Sequence, residues 1–432
     1  MDILRQLRTH ADQVEVVEIQ SEATKIGFEA NRLKSSQVEE TKGVAVRVVK
    51  NGRLGFAASS DKAAMKKLVA NALESADYGD EIPIAFPVPQ PAPEVATFDK
   101  TIAELPIPCL VEIGQEMIDL ILRIEPDARV NVELTRGVQR LSIRNQTGTE
   151  VSFGRSPLSI LTLVNRVRGD DVLMVFHIAG TTVWEEDYLA PARRLGEKLE
   201  LAKKSATIRS GRMPVLFAPS GALVLGFPLM LGLNGKNVYT RISPMRGKIS
   251  EKLFDDKVTI VDDATIDGKF GSASHDDEGV PHRRNVLIEG GVLKGFLYDL
   301  KTAAQSGVES TGNGSRSLFN PPGPSPTNLL FQAGKTPLAD LIAAIDEGLL
   351  VEDVLGLGQG NIISGAFSNP LSLAFKIEKG EIVGRVKDVS IAGNVYDLLK
   401  NVAAVSRETE WVYNNFSLPY MLLPDMNVVA KG

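Results

Sequence analysis

At 432 residues the chain exceeds the roughly 250–300 at which a single core stops growing, which points to two domains. Its 43% hydrophobic and 24% charged content is that of an ordinary soluble protein, and a net charge of -6 with pI near 5.5 argues against a dedicated nucleic-acid binder. The one cysteine, Cys109, excludes an internal disulfide and a Cys-based zinc site and suits a reducing compartment.

The first residues carry no apolar core of signal-peptide type, and residues 2–11 suggest a short amphipathic helix. Alternating strands begin at Val14–Ile19 and continue through Thr24–Phe28. Gly43–Val49 and Arg53–Ala57 flank Asn51-Gly52, the strongest hairpin signal in the chain, because both central turn residues must accept positive φ. Asp61 can cap a helix over Lys62–Ala76. Five prolines between 82 and 94 mark an extended connector, ordered against the domain through Ile84, Phe86 and Val88. Cys109–Ile124 reads as a helix, Arg129–Val183 as strands with a turn at Asn145–Gly148, and Asp187–Ser205 as a helix. His177 falls among apolar strand residues, where a histidine is most often structural.

A domain boundary is placed at Gly211–Pro214, dividing the chain into 1–210 and 211–432. Val215–Ala218 is a buried strand. The apolar run Ala222–Leu233 is too short to span a bilayer and is broken by Gly226, Pro228 and Gly232, so it is core or interface. Asn285–Tyr298 reads as two strands joined by Glu-Gly-Gly, Pro321–Pro326 as a rigid surface loop, and Asn328–Gln332 as a strand. Leu338–Glu347 follows as a helix, then strands at Asn361–Ile363, Leu371–Ile377 and Glu381–Val386, a helix at Tyr396–Ala404 and a closing strand at Leu418–Val429. Strands cluster and helices are segregated, so the class is α+β.

The densest chemistry lies between Ser272 and Arg316. His275 and His282 flank Asp276, Asp277 and Glu278, with Arg283 and Arg284 next, and the stretch ends on Ser310-Thr-Gly-Asn313-Gly-Ser-Arg316. Such a loop at the mouth of a hairpin can present groups to a peptide, a partner or a metal. It can equally be a solvated turn, with Glu278 paired to Arg283 and Asn313 at positive φ beside Gly312 and Gly314. Walker A, Gly-x-Ser-x-Gly and His-Glu-x-x-His motifs are absent from the sequence. Leu355–Gly360 matches a dinucleotide fingerprint only superficially, since Asn361 stands where the third glycine belongs.

Taken together, Lys50–Ala57, Ser274–Pro281, Leu287–Leu293, Ser310–Asn313, Ile391–Asn394 and Leu422–Met426 resemble the TldD/PmbA family, the modulators of DNA gyrase. The resemblance covers nearly the whole chain. It implies an N-terminal α/β domain with an antiparallel sheet, a C-terminal strand-rich domain, and a cytosolic zinc peptidase built as a TldD–TldE pair acting on unfolded peptides. It also implies a helix bearing His-Glu-x-x-x-His in the TldD-type chain, with a later Cys as the last zinc ligand. On the register of Gly232–Gly235 those positions fall at Gly226, Phe227 and Leu231, and no Cys follows Cys109. The expectation is a PmbA/TldE-type subunit with no catalytic residue and no metal or cofactor of its own, zinc being held by a TldD-like partner. His275, Asp276, Asp277, Glu278, His282, Arg283 and Asn313 are then candidates for contacting peptide or partner. A self-paired dimer that binds peptides, and a hydrolase with a metal on the His275–His282 loop, stand as alternatives. Direct DNA binding and membrane insertion are not expected.

Overall fold

The computed structural model describes residues 3–431. Helix α1 (Ile3–Leu7) is shorter than the expected 2–11, and Asp2 lies outside the described residues. The two expected early strands form one, β1 (Gln13–Glu29), which turns at Ala30-Asn31 into β2 (Arg32–Lys50). Asn51 and Gly52 have φ of 51° and 74°, the conformation a type I′ turn demands, and lead into β3 (Arg53–Ser59). Asp61 caps the next turn by accepting from the Ala63 amide at 2.8 Å, ahead of α2 (Met65–Asp77). The connector at 82–94 is extended; Ile84 and Phe86 are buried, whereas Val88 is 54% exposed.

After α3 (Lys100–Ala103), α4 (Ile107–Ile124) buries Leu110, Ile113, Gly114, Met117, Ile118 and Ile121, the stripe that 3.6-residue periodicity dictates. Gly114 is required there, since a Cβ would lie 2.4 Å from Cε2 of Phe28. Strands β4 (Arg129–Asn145), β5 (Glu150–Arg155), β6 (Leu158–Arg168) and β7 (Asp171–Thr181) complete a seven-stranded antiparallel sheet of order β3-β2-β1-β4-β6-β7, with β5 on β4. Helix α5 (Ala190–Leu201) occupies only the middle of the expected 187–205.

The second half begins with β8 (Gly211–Phe217), α6 (Leu223–Gly232) and α7 (Gly235–Tyr239). Then come β9 (Ile260–Asp263), β10 (Arg284–Glu289), the two-residue β11 (Val292–Leu293) and α8 (Leu300–Ser306). Residues 321–326 are not a free loop, because β12 (Gly314–Ser317) pairs with β13 (Asn320–Pro324). Beyond β14 (Leu329–Phe331), α9 (Leu338–Ala343) and β15 (Glu347–Val354), the strand expected at 361–363 is instead a short 3-10 turn. The chain continues through β16 (Ala366–Glu378), β17 (Glu381–Val386) and β18 (Val389–Asn394). The expected helix at 396–404 shrinks to α10 (Val395–Leu398), and β19 (Ala404–Val412) and β20 (Phe416–Ala430) close the chain.

These strands build a second, eleven-stranded sheet in which β20 pairs with both β18 and β8, closing β8, β15, β16, β18 and β20 into a barrel. Closure satisfies both edges of each barrel strand. Alternate residues of the barrel face two cores. Val215, Phe217 and Val351 pack with α6, whereas Leu216, Leu350 and Phe375 share a cluster with α4 and α5. The two halves are therefore joined by a continuous apolar core. Among the described residues no helix is long and apolar enough to cross a membrane.

Candidate functional site

The acidic loop between β9 and β10 is tied down residue by residue. Asp276 is its brace: Oδ1 accepts from the Glu278 and Val280 amides and Oδ2 from the Gly314 amide, all at 2.9 Å. Gly279 supplies the positive φ of 80° that this turn needs. Burial, with Glu278 alongside, pushes the Asp276 carboxyl well above its usual range. Asp277 Oδ2 accepts the Arg316 amide at 2.9 Å and is likewise pushed up by burial.

Glu278 reaches furthest. It is fully buried, accepts the Leu300 amide at 2.7 Å, and pairs with Arg47 on β2. Arg47 also grips Glu15 on β1 with two hydrogen bonds of 2.8 and 2.6 Å, and Glu15 accepts Arg316 Nη2 at 2.7 Å. Arg316, Glu15, Arg47 and Glu278 thus form a buried chain of alternating charge that joins the first sheet to the second half. The Arg47 guanidinium also lies 5.0 Å from the Phe86 ring centre, a cation–π contact with the proline-rich connector. Burial alone would raise Glu15, but Arg316 and Arg47 outweigh it and hold this carboxylate low. Glu278 is the member pushed up, because desolvation exceeds what Arg47 returns and Asp299 adds repulsion. Glu278 therefore pairs with Arg47 and not with Arg283, whose Nη2 donates to the Ser310 carbonyl at 2.7 Å.

The remaining candidates divide by exposure. His282 is buried and its imidazole is driven down to about 4 by desolvation. His275 is half-buried, its Nδ1 lies 3.0 Å from the Ser274 hydroxyl, and its ring stacks on Phe153 at 6.5 Å. Asn313 does not take positive φ; Gly312 does, at 72°. Asn313 is instead a buried clamp, donating to Asp262 at 2.6 Å and accepting from the Thr311 hydroxyl at 2.7 Å. Burial raises Asp262 to about 7, opposed by donors from Asn313 and Thr327. His275, Asp277 and Arg283 are the candidates left reachable from solvent; Asp276, Glu278, His282 and Asn313 are inside. Among the described residues no group of three or more His, Cys, Asp or Glu side chains is arranged to hold a metal, the His275–His282 loop included.

Helix α6 presents the opposite chemistry. Gly226, Phe227 and Leu231 lie on it or at its end, and none carries a donor atom. A Cβ on Gly226 would face Phe416 and Phe331 at 3.8 and 3.9 Å. The Phe227 ring stands edge-to-face with Tyr413 at 6.0 Å and Phe416 at 5.6 Å, and Tyr413 meets Phe176 of β7 at 5.9 Å. Beside this aromatic chain opens a cavity of about 540 Å³, walled by Val224, Phe227 and Pro228 and by the 355–361 loop. Gly356, Gly358 and Gly360 all have positive φ, so the glycines in that loop serve a sharply turned backbone.

Comparison with known proteins agrees with this architecture. Family models described as the PmbA/TldA metallopeptidase C-terminal domain and domain 1 match residues 210–430 and 14–76. The chain is 29% identical over 420 residues to a metalloprotease of Methanothermobacter thermautotrophicus, covering 92% of this chain and 89% of that one. It is 37% identical over 209 residues to a Haemophilus influenzae TldD homologue, 46% and 42% of the two chains. The crystal structure of TldE from Thermococcus kodakarensis superposes with a TM-score of 0.90, at 26% identity and 99% coverage of both chains. A Thermotoga maritima protein named as a modulator of a DNA gyrase shares the fold with a TM-score of 0.90, at 24% identity over 99% and 98% of the two chains.

Proposed function

The chain belongs to the PmbA/TldD metallopeptidase family, and from that membership we propose that it is a TldE-like subunit, without metal ligands of its own, that pairs with a zinc-bearing TldD-like subunit. The complex acts on unfolded or short peptides in the cytoplasm. One observation carries the reading: at the positions where the family's metal motif would fall, this chain has Gly226, Phe227 and Leu231, with Phe227 packed edge-to-face on Tyr413 and Phe416. A catalytic zinc needs about three protein ligands and an open position for water. A hydrogen, a phenyl ring and an isobutyl group supply neither lone pairs nor a base, so the residues do not fit the ion. The similarity to TldE along 99% of the chain supports the same assignment. Within the complex, the acidic loop contributes rigidity, because its carboxylates are spent on guanidinium pairs and turn amides.

The test is reconstitution. The purified chain with added zinc should leave unstructured peptides intact, and cleavage should appear only on mixing with a TldD-like subunit. Chelator-sensitive cleavage by this chain alone would overturn the proposal.

A further inference from the structure

A cleft away from α6 brings exposed apolar side chains and unpaired cations together. A cavity of about 910 Å³ between the 238–249 segment and the 294–311 stretch has Tyr239, Arg241, Arg246, Ile249 and Val308 among its walls, with Glu309 the one acidic side chain against two arginines and Lys294. A second, of about 400 Å³, runs between β3 and the β12–β13 hairpin and shares Tyr239 and Gln305 with the first. The two cavities adjoin at these shared residues, forming one groove. Tyr239, Ile249 and Val308 are 46%, 47% and 47% exposed, a concentration of large apolar side chains in solvent at one place. Arg241 and Arg246 line the first cavity and Lys236 the second, and their side chains have no hydrogen-bond or ion-pair partner among the described residues.

We propose that this groove binds an extended peptide segment in which carboxylate side chains alternate with apolar anchors. The free guanidiniums select carboxylates, which bind arginine in bidentate fashion, and Tyr239, Ile249 and Val308 bury the apolar partners. The inference rests on the peptide-handling role proposed above and names its substrate class. Acidic, partly apolar segments would be drawn to this groove while basic ones are repelled.

The test measures anisotropy of labelled ten-residue peptides with the full chain alone. A Glu/Leu alternating peptide should bind roughly tenfold or more tightly than its Lys/Leu counterpart, and the difference should shrink with added salt. Arg241 and Arg246 are exposed, so R241E/R246E should fold normally and reverse the preference. A Tyr239→Ser, Ile249→Ser variant should weaken Glu/Leu binding with its salt dependence unchanged. Equal binding of the two peptides, or an unchanged preference in R241E/R246E, overturns the inference. Loss of pairing with a TldD-like subunit in R241E/R246E, with peptide preference intact, also overturns it and makes the groove a subunit surface. Binding of a short DNA duplex that the same variant abolishes, without peptide selectivity, overturns it in favour of nucleic acid. In each of these outcomes zinc-dependent cleavage by the wild-type pair leaves the subunit assignment standing.

Discussion

The acidic loop and helix α6 carry opposite chemistry, one dense in reactive residue types and the other without any. The loop carries three consecutive carboxylates between two histidines, the composition of a reactive site, yet its charges are consumed within the protein. Helix α6 reads as core or interface; it packs largely into the core and also forms part of the wall of a cavity. Reactive residue types therefore mark function only when they keep unsatisfied valence facing space that a ligand can enter. In this chain the carboxylates are satisfied and the space is lined by rings and glycine backbone.

The contrast can be broken most sharply at Arg47. Arg47→Met leaves Glu278 and part of Glu15 buried without a counter-ion, and should cost about 3–5 kcal/mol in urea unfolding. Adding Glu278→Met should return most of that loss, since Glu15 keeps Arg316. A loss below about 1 kcal/mol for Arg47→Met would mean that the loop is not held this way. A smaller effect, of up to roughly 3 kcal/mol, is expected from pH at His282. Its folded pKa of about 4 lies below the unfolded 6.5, so its contribution is full above pH 6.5 and is lost as pH falls through 6.5 toward 4. His282→Gln should reduce the slope in that window, His177, which burial also drives down to about 4, keeping the rest, and an unchanged slope would place the titration elsewhere. The smallest effect belongs to α6. Gly226→Ala meets only ordinary contacts at 3.8 and 3.9 Å and should raise thermal stability by up to about 1 kcal/mol. A measurable loss there would show that the helix needs a bare backbone at 226.

Elements with local signals were legible in the sequence. The Asn51-Gly52 turn, the Asp61 cap, the apolar stripe of α4 and the Glu381–Val386 strand all stand where turn chemistry and periodicity place them. What was not legible depended on distant partners. Ala30 sits at φ 46°, a conformation its side chain does not advertise, so the hairpin joining β1 and β2 went unmarked. That hairpin's register sets Glu15 directly opposite Arg47, and with it the pair that captures Glu278 from 231 residues away. The 321–326 prolines hid a strand because β13 pairs with only a short edge, β12. Val395–Leu398 ends early because β19 must start at Ala404 to pair with β20. The apolar character of 222–233 was visible, but the rings of Tyr413 and Phe416 reach it from a turn and a strand far along the chain.

The most direct test of the subunit assignment is zinc per chain, measured by mass spectrometry after zinc loading and dialysis of the purified protein. With no donor at Gly226, Phe227 or Leu231, the value should fall below about a tenth of an ion per chain. A value close to one ion per chain, removed by chelator and restored by zinc, would contradict the assignment.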